Sequence, residues 1–128
     1  MITDENKILP WCGIYTVVNV HNGKRYIGQT TRSFHERWKE EINEVKFRKK
    51  YGVKNCNMSK FNHIIGTILD DSDNKYIKIS NTEAYFGCLH FKRIQEWCNT
   101  LTKEELFKNE HKCIEYWDSY NNGYNSRP

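Results

Sequence analysis

Residues 13–29 run Gly13-Ile14-Tyr15-Thr16-Val17-Val18-Asn19-Val20, then His21-Asn22-Gly23, then Lys24-Arg25-Tyr26-Ile27-Gly28-Gln29. Two short runs rich in β-branched and aromatic residues flank an Asn-Gly pair, a strong short-range hairpin signal because a type I′ turn needs positive φ at both central residues. A two-residue turn at Asn22-Gly23 pairs Asn19 with Tyr26 and Val17 with Gly28. Side chains alternate with period two, so Tyr15, Val17, Asn19, Tyr26 and Gly28 share one face, and Ile14, Thr16, Val18, Val20 and Ile27 share the other. The aliphatic face is expected to be core. The opposite face is expected to display two phenols around a glycine whose bare backbone something else can approach.

Working outward, Ser33-Phe34-His35-Glu36 is a capping-box pattern that opens a helix with Phe34, Trp38, Ile42 and Val45 as its apolar stripe. Arg37 sits on the flank of that stripe, about 100° from its centre. The basic run 46–54 is expected to end this helix in a loop at Gly52, and a shorter helix is plausible over about 58–69. Residues 70–88 are the hardest to assign, with 70–75 as a turn and 76–80 as a possible extra strand. Residues 89–97 have the character of a strand, the third of the sheet. Thr102-Lys103-Glu104-Glu105 is a second capping box, opening a helix expected to run to about Tyr120 before Asn121-Asn122-Gly123 stops it. On it, Leu106, Glu110, Cys113 and Trp117 form an a/d-like row in which Glu110 is a carboxylate among apolar positions.

A chain of 128 residues, 38% of them hydrophobic, is long enough for one core and short for two ordinary domains. A single domain over 1–128 is expected, with its motif core at about 11–126 and an insertion at about 70–88. The formal net charge of +4 suits a polyanionic partner without specifying one. Neither a signal peptide nor a membrane span is evident, which leads to the expectation of a soluble protein in the cytoplasm of its cell or host cell. Cys12, Cys56, Cys88, Cys98 and Cys113 are an odd number without CxxC spacing, so reduced thiols are expected rather than a zinc site. The histidines, His21, His35, His63, His90 and His111, show no metal-ligand spacing.

A carboxylate on the packed face of a helix is costly unless it is paired, protonated or metal-bound. Glu110 is therefore a site candidate, although a salt bridge to an arginine such as Arg37 is the ordinary alternative. A tyrosine pair on a hairpin is ordinarily core or rim packing. The ordered set carries more weight: Gly13-Ile14-Tyr15, Tyr26-Ile27-Gly28 ten intervening residues later, Arg37 inside Phe34-His35-Glu36-Arg37-Trp38, Glu110 in a helix, and Gly123-Tyr124-Asn125 behind it. This set resembles the GIY-YIG nuclease family, found in homing endonucleases, restriction enzymes and a repair nuclease, over roughly residues 11–126.

The resemblance implies an α/β (α+β) fold with a small three-stranded antiparallel sheet flanked by helices. It also implies a divalent-metal-dependent endonuclease hydrolysing DNA phosphodiester bonds, of phage, mobile-element (homing-like) or restriction type. By motif position its site residues are Tyr15, Tyr26, Arg37, Glu110 and Asn125, with Glu110 holding Mg²⁺ or Mn²⁺. A single carboxylate is compatible with Mg²⁺, which often takes one or two carboxylates plus substrate phosphate and water. One tyrosine would position or deprotonate the attacking water, Arg37 would stabilise developing charge, and Asn125 would support the site by hydrogen bonding or act only as a helix-terminus cap.

Some members carry a lysine just after the second tripeptide and a histidine one turn beyond the arginine, where this chain has Gln29 and Glu41. Lys24, Arg25, Arg32, Lys39, Lys46, Arg48, Lys49 and Lys50 are candidates to neutralise phosphates of double-stranded or branched DNA, which positions a substrate without reading bases. Two other readings remain open. One is a catalytically silent nucleic-acid-binding protein; the other is a nuclease module targeted by a separate partner chain. A homodimer is a further possibility.

Overall fold

The computed structural model describes residues 7–51 and 77–125, with side chains omitted at 45–51 and 77. Within them the order is β1 (Trp11–Asn19), β2 (Arg25–Thr30), α1 (Phe34–Tyr51), β3 (Ile77–Ile79), β4 (Glu83–Phe86), β5 (Leu89–Cys98) and α2 (Lys103–Trp117). The strands form one antiparallel sheet in the order β2-β1-β5-β4-β3. Five strands replace the expected three. The expected third strand is β5, which lies at the centre of the sheet, and the extra pair comes from the segment least legible in the sequence: β3 lies within 76–80, and β4 turns into β5 through Gly87, at φ 57°. The helix expected over 58–69 lies outside the described residues.

The hairpin register differs from the expected one by two residues. Tyr15 pairs with Gly28 and Val17 with Tyr26. A longer loop is the reason: the Gly23 N–H donates to the Asn19 carbonyl at 2.8 Å, the Asn19 N–H donates to the Lys24 carbonyl at 2.9 Å, and of the Asn-Gly pair only Gly23 takes positive φ. Asn22 instead accepts the Lys24 N–H on its side chain, as Asn19 accepts that of His21. Such Asx interactions offer the chain an alternative to the two-residue turn. Because the shift is even, every side chain stays on its expected face.

What covers those faces does differ. The tyrosine face is core: Tyr15 and Val17 are fully buried with Phe34, Trp38 and Ile42 of α1 and Ala84, Phe86, Leu89 and Phe91 of β4 and β5. Tyr15 meets Phe34 and Trp38 edge-on, at centroid distances of 6.5 and 6.1 Å. The aliphatic face is also covered, Cys12, Ile14 and Ile27 packing with Leu101, Leu106 and Ile114 around α2. Val20, expected on that core face, is in the loop and 61% exposed. The sheet is thus a middle layer, with apolar residues outward on both faces and a helix on each.

Both helix starts follow their capping signals. Ser33 Oγ accepts the Glu36 N–H, and Thr102 and Glu105 form a reciprocal capping box. The second helix stops at Trp117 instead of Tyr120, because Asp118 takes a left-handed conformation (φ 52°) and the Ser119 N–H turns back to the Ile114 carbonyl. The chain then runs along the outer edge of β2. The Tyr124 N–H donates to the Arg25 carbonyl, and the Asn125 side chain bonds both the N–H and the C=O of Ile27, each at 2.9 Å. Gly123 permits this approach, since a Cβ there would lie 2.4 Å from the Arg25 carbonyl oxygen. An edge strand that would expose unpaired backbone is closed by this means.

No helix among the described residues is long and apolar enough to cross a membrane. Cys12, Cys88, Cys98 and Cys113 are free thiols, and no group of three His, Cys, Asp or Glu side chains among the described residues is placed to hold a metal.

Candidate active site at the edge of the hairpin

Alternation along β1 and β2 turns Tyr15 and Tyr26 to the side covered by α1, and helical periodicity brings Arg37 to the rim of that contact. The phenol rings lie 6.3 Å apart. Their environments differ. Tyr15 is fully buried, while Tyr26 is partly exposed on the edge strand. Gly28 faces Tyr15 across the hairpin, and a Cβ there would sit 2.4 Å from Tyr15 Cζ and 2.5 Å from its hydroxyl. The bare backbone expected to receive an incoming group receives the Tyr15 ring instead. A β-bulge on β5, where Tyr15 pairs with Arg93 after Ile14 pairs with Gln95, adjusts the sheet at the same place.

The Tyr15 hydroxyl donates to Glu41 Oε1 at 2.7 Å and accepts from Arg37 Nε at 3.3 Å; Arg37 Nη2 donates to the same Glu41 oxygen at 2.9 Å. Glu41 is 2% exposed, and its second oxygen has no hydrogen-bond partner among the described residues. Burial raises its carboxyl to about 7; Arg37 and the Tyr15 hydroxyl oppose the rise, and Glu44 and Glu40 add to it. For Arg37, burial works against the charge, but Tyr15 and Glu41 outweigh it and hold the guanidinium above its ordinary value. Arg37 also reaches Glu40 at 3.4 Å.

Burial, then the Glu41 charge, raises both tyrosines above the ordinary phenol value, with Arg37 opposing. Both hydroxyls are therefore neutral near pH 7 and suited to hydrogen bonding rather than to action as preformed phenolates. The charges of Glu110 and Glu44 also raise Tyr26, so the carboxylate of α2 reaches the same edge of the sheet from the other side.

Glu110 is partly exposed rather than embedded in an apolar row. Leu106 and Ile114 make the packed side of α2, Cys113 is half-buried, and Trp117 is 40% exposed. A rim carboxylate with access to solvent fits a hard divalent cation that keeps waters and takes phosphate oxygen, and does not fit a tetrahedral zinc centre, which needs several nitrogen or sulfur ligands. Asn125 is buried in the clamp on Ile27 and also accepts from Ser119 Oγ at 2.6 Å. Its amide is committed to holding β2, so it supports the edge that carries Tyr26.

The structure thus brings Tyr15, Tyr26 and Arg37 together, sets Glu110 within electrostatic reach of Tyr26, and places Asn125 behind the strand. Of the basic candidates, Lys24 and Lys39 are exposed. The Arg25 guanidinium lies over the Trp117 ring at 3.9 Å, and Arg32 is paired with Glu40. Lys46, Arg48, Lys49 and Lys50 are in the second half of α1, where side chains are not described.

Glu41 is the member that sequence reasoning passed over as a departure from a family pattern. The signal was available: Phe34, Trp38, Glu41 and Val45 are spaced 4, 3 and 4 apart, the same a/d spacing that singled out Glu110.

Comparison with protein families and with characterised proteins finds no sequence match. Among solved structures, the chain is similar to the catalytic domain of homing endonuclease I-TevI, with a TM-score of 0.63 and 20% identity over 91% of this chain and 99% of that one. It is similar also to a glutamate-to-alanine mutant of the I-TevI catalytic domain, there called an intron endonuclease, with a TM-score of 0.61 and 22% identity over 91% and 94%. The expected α+β class is borne out, in the fold of that homing-endonuclease catalytic domain and with five strands where three were expected.

Proposed function

We propose that this chain is an endonuclease that hydrolyses DNA phosphodiester bonds with Tyr26, Arg37 and Glu110 at the site and Tyr15 and Asn125 supporting it. The reading is supported by a partly exposed phenol and a guanidinium at one strand edge, with the charge of the partly exposed Glu110 acting on that phenol, in the fold of an endonuclease catalytic domain. Tyr26 is partly exposed on the edge strand where Tyr15 is fully buried, so it is the one to orient the attacking water by hydrogen bonding. Arg37, anchored on its inner side by Tyr15 and Glu41, offers its remaining N–H groups to the phosphate as negative charge develops. Glu110 would hold Mg²⁺ or Mn²⁺, which when bound neutralises phosphate charge and stabilises the leaving 3′ oxygen. Water adds at phosphorus as the P–O3′ bond breaks, and one of its protons passes to the leaving O3′, so that the products are a 5′ phosphate and a 3′ hydroxyl.

Lys24 and Lys39 are exposed cations that would neutralise phosphates of a DNA backbone, which fixes position and not sequence. Homing-like or restriction-type cutting would differ in the number of sites cut. Incubation of the purified chain with supercoiled plasmid, single strands and branched DNA, with and without Mg²⁺, tests the reading beside Glu110→Ala. Cutting that needs the metal and is lost in the variant is expected. Absence of metal-dependent cutting on every substrate, or equal cutting by the variant, overturns it.

A further inference from the structure

The reading above uses Glu41 only as a contact of Arg37 and gives its charge no part in the reaction. It sits in the core row of α1, 2% exposed, where packing alone would favour leucine or isoleucine. A buried ion pair is frequently no more stabilising than apolar side chains of the same volume. Glu41 is also not a fully satisfied structural ion: Oε1 carries bonds from both Tyr15 and Arg37, while Oε2 has no partner among the described residues.

The geometry of Arg37 gives this arrangement a purpose. A guanidinium facing one carboxylate commonly makes two parallel bonds to its two oxygens. Here the fork is divided: Nε goes to the Tyr15 hydroxyl of β1 and Nη2 to Glu41 Oε1, one turn along the same helix. Two anchors on different elements define the plane of the group. Nη1 lies on the outer side, where the side chain is 27% exposed and its further contact is Glu40, itself 38% exposed. An arginine left to itself would lose rotamer freedom on meeting a phosphate; one already held in plane loses less.

We propose that Glu41 is a positioning residue, whose ionised carboxylate holds Arg37 and Tyr15 on a single oxygen and so presents the outer edge of the guanidinium to a bound phosphate. The cutting part of this statement rests on the nuclease reading proposed above; the anchoring part does not. The groups that act on the Glu41 charge are Tyr15 from β1 and Arg37, Glu40 and Glu44 from α1, with Tyr26 of β2 coupled to it electrostatically. With the carboxyl lifted by burial to about 7, the anchor is ionised above neutrality and weakens as the pH falls below it.

The test uses the full chain, supercoiled plasmid, Mg²⁺ and the isosteric variant Glu41→Gln, which keeps shape and an acceptor but not the charge. The wild type is expected to show kcat falling about tenfold to an acid plateau, with a midpoint near 7. The variant is expected to lose this limb and to have kcat reduced about tenfold at pH 8 with KM changed less than about twofold. A purely structural Glu41 would leave the shape of the profile unchanged, and a variant with the wild-type acid limb overturns the proposal. The second measurement needs no cutting: the ¹⁵N–¹H signal of Arg37 Nε, assigned by its loss in Arg37→Lys, is followed with pH. A titration near 7 in the wild type that is absent in Glu41→Gln is expected. An Arg37 signal that is unchanged with pH, or that titrates alike in both proteins, overturns the anchor. A protein whose Arg37 signal behaves as expected but which cuts no DNA overturns the nuclease reading and leaves the anchor standing.

Discussion

Gly28 lies against the ring of Tyr15 so closely that a Cβ at residue 28 would be 2.4 Å from Tyr15 Cζ. The glycine of the second tripeptide is therefore the seat of the tyrosine of the first, through the Tyr15–Gly28 pairing of β1 and β2. The tyrosine cannot withdraw easily, because Phe34 and Trp38 meet it from the helix side and its hydroxyl is tied to Glu41. Gly28→Ala is predicted to lower stability by about 1–3 kcal/mol through overpacking. Denaturant titration would measure this, and a neutral result would show that the ring moves without cost.

Tyr15 and Tyr26 are predicted to respond differently to loss of the hydroxyl. Tyr15→Phe leaves Arg37 Nε without its buried acceptor and Glu41 Oε1 with Arg37 Nη2 alone, which costs roughly 1–3 kcal/mol and should show as a lower denaturation midpoint. Tyr26→Phe removes a hydroxyl from a partly exposed ring, so stability should change by less than about 1 kcal/mol, while plasmid cutting should drop by about 100-fold or more. A Tyr26→Phe protein that cuts at the wild-type rate would remove Tyr26 from the proposed mechanism.

Asn125 replaces a strand's hydrogen bonds with one side chain, bonding the N–H and the C=O of Ile27. Asn125→Ala leaves both backbone groups at a buried position without those partners, and a loss of about 2–4 kcal/mol is predicted. Asn125→Asp should recover only part of this, because a carboxylate accepts from the Ile27 N–H but faces the Ile27 carbonyl oxygen with no donor. Hydrogen exchange at the Ile27 amide reports the clamp directly: protection is expected to fall in both variants, and unchanged protection would mean that β2 is held by β1 alone.

The raised Glu41 carboxyl also makes a prediction about stability. Folded Glu41 takes its proton at about 7 against an ordinary value of 4.5, so between those values the folded state binds more protons than the unfolded one. This group's contribution is fully present below 4.5 and is lost as the pH rises through about 7. At 1.36 kcal/mol per unit, the stability of wild type relative to Glu41→Gln should decline by about 3 kcal/mol over that window. Paired denaturant titrations at several pH values measure the difference, and a flat difference would place the Glu41 carboxyl at its ordinary value.

Much of the local structure was legible in the sequence because its causes lie within a few residues. Alternation placed Tyr15 and Tyr26 on one face despite a register error of two, Ser33 and Thr102 marked where the helices begin, and the run at 89–97 was correctly read as a strand. The candidate residues were identifiable because an ordered set of chemical side chains survives in the linear text. The β3–β4 pair was not readable, since strands of 3 and 4 residues carry too few positions to establish a period.

The sequence by itself determined the hairpin and its two faces, the helix starts and the set of side chains from which the proposed site is assembled. Tertiary structure alone decided which tyrosine is buried, that Gly28 receives Tyr15, that Glu41 shares one oxygen between Tyr15 and Arg37, and that Asn125 clamps Ile27. These outcomes join positions 26 and 98 apart in the chain. They depend on which helix covers which face of the sheet. Period and capping are local properties of a chain, whereas the burial that raises a carboxyl or silences a phenol comes from whatever distant segment packs against it.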